Sequence, residues 1–239
     1  MHCLSATRHV GVMVSFLIGA VAAASGDEAR PAKPDPPPLR MALASDSRFQ
    51  AAYDDLFKSE PSADSPGHVC WLQRTLAVAF YVRNYEQGEA CARQLLISSP
   101  DDWSLHDELS LMLGKQGKYQ EALSEADIAL ALPDADPLHL TAIKASWLYH
   151  LGRREEAKDL FASLEVPPEG TPAWALYQGC RACFSASSHN IPELKNSIFI
   201  LMKLGGSSAY FVQRDVIFDQ YRHLEWFCQL VGNTLAPTL

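Results

Sequence analysis

Apolar residues recur along this chain at helical spacing, in blocks of about a dozen separated by short polar turns. Phe49, Ala52, Tyr53, Leu56 and Phe57 form an i, i+3, i+4, i+7, i+8 stripe. With Ser45 or Asp46 ahead of it, this stripe predicts a short capping helix within 45–58. From Val69 onward, blocks long enough for a helix alternate with polar turns near Asn84, Gly117 and Gly152, which predicts a series of helix hairpins. Pro172 to Ser185 and Ile191 to Leu204 predict one further pair, with Ile198, Leu201 and Met202 facing a core and Gly205-Gly206 ending the second helix. Ser65-Pro66, Asp136-Pro137 and Thr171-Pro172 each set a capping side chain directly before a proline at a first helical position, and Asp102 stands ready to cap a helix beginning at Trp103.

The turns carry a repeat. Asn84-Tyr85-Glu86-Gln87-Gly88-Glu89-Ala90 is followed by Gly117-Lys118-Tyr119-Gln120-Glu121-Ala122-Leu123, 34 residues on from Tyr85 to Tyr119. Gly152-Arg153-Arg154-Glu155-Glu156-Ala157-Lys158 follows, 35 residues on from Gly117 to Gly152. Within each unit, small residues recur where two helices would cross: Gly88, Ser110 with Ala122, and Ala145 with Ala157. Large residues surround them, among them Leu72, Leu109, Leu113, Leu148 and Phe161. A period of this length is the mark of a stacked array, in which each unit buries its apolar face against the next.

The pattern resembles the tetratricopeptide repeat (TPR) family over roughly residues 66–165. Four positions depart from it: Leu76 stands where a small residue is usual, His106 and Lys144 where apolar ones are, and Arg83 in place of a turn glycine. The resemblance implies an all-α fold, a right-handed superhelix (α-solenoid) of antiparallel helix pairs. The array would span 66–204, as pairs 69–102, 103–137 and 138–170 and a degenerate pair 171–204. In 205–239, Asp215, Phe218, Arg222, Phe227 and Leu230 are spaced like the segment that closes many bacterial arrays of this family. Such a segment covers the unpartnered side of the last hairpin.

The family binds partners on its concave face, chiefly through the first helix of each pair. Carried over by repeat position, the groove residues here are Gln73, Ala77, Phe80 and Tyr81, then Asp107 and Leu111, then His139, Ser146, Tyr149 and His150. Ser104 and Lys115 fall on the same face. The family's clamp for carboxylate tails needs Lys and Asn at the positions here held by Gln73 and Ala77, Asp107 and Leu111, and Ala142 and Ser146, so that function is not expected. A mixed groove with aromatics suits an extended or helical peptide. Tyr81 and Tyr149 serve equally well as packing against neighbouring helices.

The ends of the chain speak to its destination. Arg8 precedes an apolar run from Val10 to Ala24, with Ala22 and Ala24 as small residues before an expected cleavage near Ser25. Residues 1–24 thus read as a signal peptide, too short for a spanning helix, and the protein as exported, periplasmic or secreted. If the signal is uncleaved, it would hold the chain at the membrane by its N-terminus; once cleaved, no stable span is expected. Residues 25–44 are Pro-rich and charged, a solvated linker. The whole chain of 239 residues has 28 acidic against 20 basic side chains, net charge -8, an acidic balance that argues against a nucleic-acid partner.

Candidate chemistry is sparse. Five cysteines follow the signal: Cys70, Cys91, Cys180, Cys183 and Cys228. Cys180-x-x-Cys183 falls in mid-helix, whereas redox pairs of this spacing set the first thiol at a helix N-terminus. No histidine follows it for haem attachment, and no second pair completes a zinc site. The histidines are scattered without metal-ligand spacing, and Gly205-Gly206-Ser207-Ser208 lacks the features of a phosphate loop. Glu121, Glu125 and Asp127, like Glu155, Glu156 and Asp159, read as solvated helix faces. The expectation is a non-catalytic, cofactor-free and metal-free exported scaffold that binds a protein or peptide through its concave face. The alternative is a self-assembling structural component of an envelope complex.

Overall fold

Side chains that accept backbone N–H groups set half of the described α-helix starts. Asp102 takes the N–H of Ser104, Asp136 those of Leu138 and His139, and Thr171 that of Trp174. Asn84 and Asn190 do the same for two second helices. In this computed structural model the described residues are 60–65 and 67–232, with isolated positions 51, 54–56 and 58 ahead of them. The expected signal peptide, the linker, most of the capping helix (Phe49, Tyr53 and Phe57 included) and residues 233–239 lie outside them, as do the side chains of Tyr81, Ser207, Tyr210 and Arg214.

The described helices are α1 (His68–Tyr81), α2 (Tyr85–Ser98), α3 (Trp103–Lys115), α4 (Tyr119–Ala131), α5 (Pro137–His150), α6 (Arg154–Ala162), α7 (Pro172–Ser187), α8 (Ile191–Leu204), α9 (Gly206–Arg214) and α10 (Glu225–Val231), with a 3-10 turn at Val216–Tyr221 between the last two. The first helix starts later than Ser65-Pro66 suggests: Ser65 Oγ accepts the N–H of Gly67, and the helix proper begins at His68. Among the described residues the structure is all helical, and neighbouring helices pack in pairs, α1 with α2 through to α7 with α8. The arrangement is compatible with an α-solenoid.

All four hairpins turn in the same way. The N–H groups of Asn84, Lys118, Arg153 and Asn190 each bond the carbonyl five residues back, at Ala79, Leu113, Leu148 and Ser185. The preceding residues, Arg83, Gly117, Gly152 and His189, each bond three back and hold positive φ of 61°, 79°, 81° and 54°. This double bond with a left-handed residue is the Schellman ending. Glycine takes that conformation freely, whereas Arg83 and His189 adopt it at a cost of about 1 kcal/mol or more. The fourth hairpin, irregular in sequence, therefore turns like the others.

Small residues let the helices of a pair approach. Ser110 Oγ donates to the Ala122 carbonyl at 2.7 Å across α3 and α4, and Ala145 and Ala157 are both fully buried. His106, on a face that is usually apolar, is buried and satisfied: Nε2 donates to the Pro100 carbonyl at 3.0 Å and Nδ1 meets Glu125 at 2.7 Å. Glu125 is thus turned inward to a partner, a correction to its reading as part of a solvated face. Lys144 pairs with Asp127 at 2.6 Å.

The core has two parts. One runs from Leu56 and Trp71 through the hairpins to Phe184, and begins where Trp71 Nε1 donates to the Leu56 carbonyl at 2.8 Å. The second joins α7 and α8 to the C-terminal segment through Ile198, Leu201, Val212, Phe218, Phe227 and Val231. Phe218 and Phe227 are fully buried in this second part. No helix among the described residues is long and apolar enough to cross a membrane.

Candidate functional site

The C-terminal segment also reaches back over the first helices of the pairs. Asp215 accepts the N–H of Ile217 and so starts the 3-10 turn, while Arg222 donates to the Asp215 carbonyl at 3.0 Å. So held, Asp215 meets Lys115 Nζ of α3 at 3.2 Å, one hundred residues away in the chain. Asp219 meets Arg83, at the turn after α1, at 2.7 Å. Burial works against the Lys115 charge, but the Asp215 carboxylate prevails and raises the lysine above its ordinary range.

Between this segment and the array lies a cavity of about 390 Å³. Its walls are Phe80 of α1, Leu111 and Lys115 of α3, His139, Ser146 and His150 of α5, Cys180 and Cys183 of α7, and Phe211, Asp215 and Ile217 of the closing segment, among others. This size and largely apolar lining, with a few polar groups, are those of a ligand pocket. His150 stacks on Tyr119, ring centroids 4.6 Å apart, and burial followed by the nearby charges of Lys115 and His189 lowers its pKa.

Of the residues expected in a groove, Phe80, Leu111, His139, Ser146 and His150 come together on this wall. Asp107 sits directly behind it, fully buried. Gln73 and Ala77 are half-buried on α1 and are not among the lining residues. The side chain of Tyr81 lies outside the described residues. Tyr149 does not line the cavity either: it packs edge-on against Phe184, under Arg154, and its hydroxyl donates to the Ser188 carbonyl at 3.4 Å.

Three groups that the sequence left apart meet at one end of the cavity. Asp107 Oδ2 lies 3.0 Å from His139 Nε2, and His139 Nδ1 lies 3.9 Å from Cys180 Sγ. Burial favours the neutral ring, but the charge and hydrogen bond of Asp107, with a smaller contribution from Cys180, hold the His139 pKa well above its ordinary value. The neighbouring Cys183 lines the same cavity, and burial together with the Asp215 charge pushes its thiol well up. Behind the wall Glu108 is 2% exposed with neither carboxylate oxygen partnered by a side chain or backbone group; burial, then the charge of Asp107, raises its pKa well above the usual range.

The five described cysteines are free thiols, and burial carries Cys91 up to about 11. No group of three or more His, Cys, Asp or Glu side chains among the described residues is disposed to hold a metal ion. Sequence reasoning placed Asp107 and His139 on the inner face but did not join them to each other or to Cys180. The signal was present in the repeat itself, since inner positions of successive first helices are neighbours in a stacked array.

Compared with known proteins, the chain matches no family model, no curated protein and no solved structure. Among the described residues the chain is an all-helical array of paired helices, with a largely apolar cavity between its inner wall and its C-terminal segment.

Proposed function

We propose that this protein is an exported, non-catalytic scaffold of tetratricopeptide type, a right-handed superhelix that binds an apolar segment of a protein partner on its concave face. The observation that carries the reading is the cavity of about 390 Å³, walled by the first helices of successive pairs and including five of the residues expected there. The common Schellman turns and the repeat of about 34 residues support the family resemblance. The apolar run before Ser25 supports export. A cavity of this size takes one or two large apolar side chains of a peptide, with the two ion pairs to Asp215 and Asp219 holding the closing segment around them.

Affinity capture from the native envelope and culture fluid tests this, with the mature chain as bait and a Phe80→Ala, Leu111→Ser variant beside it. A partner held by the wild type and lost by the folded variant is the expected result. A partner retained by the variant refutes the concave-face reading. Recovery of the bait alone, as a closed oligomer by light scattering, would favour the self-assembling envelope component instead.

A further inference from the structure

We propose that Cys180 is a nucleophilic thiol, activated by His139 and oriented through Asp107, that accepts an apolar acyl group from an activated ester or thioester entering the cavity. The inference stands apart from the scaffold reading and does not require it. Three observations carry it. The thiol and the imidazole both line the cavity, while the carboxylate lies behind them, fully buried. The two ring nitrogens are used in series, Nε2 on Asp107 at 3.0 Å and Nδ1 toward Cys180 at 3.9 Å, which is the order nucleophile, base and orienting acid. Elements separated by 32 and 41 residues converge to make it, so helical periodicity within one segment does not account for it.

The chemistry follows from those positions. The proton shared between Sγ and Nδ1 resides on the ring as the sulfur attacks the acyl carbonyl carbon. The new S–C bond forms, the bond from that carbon to the donor's oxygen or sulfur breaks, and Nδ1–H supplies the proton to the leaving group. The products are S-acyl Cys180 and one free alcohol or thiol. The apolar lining selects a long acyl chain over a short one by burial of its methylenes. The event is stoichiometric, one acyl group per chain.

Cys183 is the internal control, because it shares the cavity and lacks a histidine partner among the contacts described. Cys70, which is exposed, reports reactivity in open solvent. The probes are p-nitrophenyl decanoate, p-nitrophenyl acetate and the decanoyl thioester of N-acetylcysteamine, followed by nitrophenolate release, intact mass and peptide mapping. The expected result is one decanoyl group at Cys180 from either decanoyl probe, formed at least ~10-fold faster than at Cys70 or Cys183, with the acetyl probe showing no such preference. N-acetylcysteine, an unassisted thiol with pKa about 8.5, loses about tenfold in rate per pH unit below that value; with His139 to take its proton, Cys180 should react with a rate that falls less steeply over the same range. His139→Gln should slow the reaction by about 100-fold, the scale of a lost general acid–base group. Acylation shared between Cys180 and Cys183, a pH profile parallel to that of N-acetylcysteine, or an unchanged rate in a folded His139→Gln variant overturns the proposal. Should that variant fail to fold, the wild-type pH profile and the map of modified cysteines decide alone.

Discussion

Replacing Gly114 by alanine offers a direct check on the packing of the array. Alanine normally gains about 1 kcal/mol over glycine inside a helix, and Gly114 lies within α3. Here a Cβ would stand 2.6 Å from Cζ3 of Trp147, with two more carbons of the same ring closer still. The indole is a rigid plane, 7% exposed, and cannot fold away as a flexible chain would. Its Nε1 donates to Ser110 Oγ at 2.9 Å, and Ser110 in turn holds the Ala122 carbonyl. Overpacking costs about 1–3 kcal/mol and a displaced indole loses a hydrogen bond of about 1 kcal/mol. Set against the helix gain, Gly114→Ala should destabilise the fold by about 1–3 kcal/mol. At about 2–4 °C per kcal/mol for a domain of this size, Tm should fall by roughly 2–12 °C. Gly88→Ala provides the contrast, since its Cβ would meet the Met112 sulfur at 2.5 Å, part of a flexible side chain. That variant should lie within about 1 kcal/mol of wild type, the helix gain offsetting the thioether's shift. Thermal and urea unfolding followed by circular dichroism measures both. A Gly114→Ala protein as stable as wild type, or less affected than Gly88→Ala, would refute this account of the α3–α5 contact.

Asp215→Asn leaves Lys115 charged and largely buried without its carboxylate, and loss of one partner of a buried pair costs about 3–5 kcal/mol. Hydrogen exchange should rise in residues 206–232 before it rises in α3 and α4; uniform destabilisation would argue that the ion pair does not anchor the segment. Glu108 and His139 both have raised folded pKa values, so the native state binds more protons than the unfolded one. The stability from Glu108 is full below about pH 4.5 and that from His139 below about 6.5, and each is lost as pH rises through the folded value. Wild-type Tm should therefore decline from pH 6 to pH 9, and Glu108→Gln should flatten that decline and exceed wild type at pH 8; equal slopes would contradict the burial of an ionisable carboxyl there. Asp136→Ala removes the acceptor for two N–H groups at the start of α5 and should cost about 1 kcal/mol in urea unfolding; a variant as stable as wild type would refute the cap.

Helices, turns and caps were legible along the chain because they depend on residues within about four positions of one another. Asp102, Asp136 and Thr171 cap where their position before an apolar block said they would, and Gly117 and Gly152 take the positive φ that a helix-ending turn requires. The repeat also exposed the inner face, so that Leu111, His139 and Ser146 could be placed on it before their surroundings were known. Pairing across the array was not legible in the same way. Arg83 and His189 turn like glycine, a conformation disfavoured for their side chains and imposed by the packed hairpins on either side. Glu125 reads as a solvated carboxylate until His106, nineteen residues earlier, is brought against it.

The sequence by itself determined the helices, their order and which stripe of each turns toward its neighbour, since periodicity and capping are local properties of the chain. Only the tertiary structure decided that residues 211–220 fold over the inner wall, that Lys115 finds Asp215, and that Asp107, His139 and Cys180 stand in line at the end of a cavity. Those contacts join groups between 32 and 100 residues apart. No spacing rule selects such partners: each charge finds its counter-charge through the stacking of several helices, whose angles are set by the summed packing of residues as small as Gly114 and as large as Trp147.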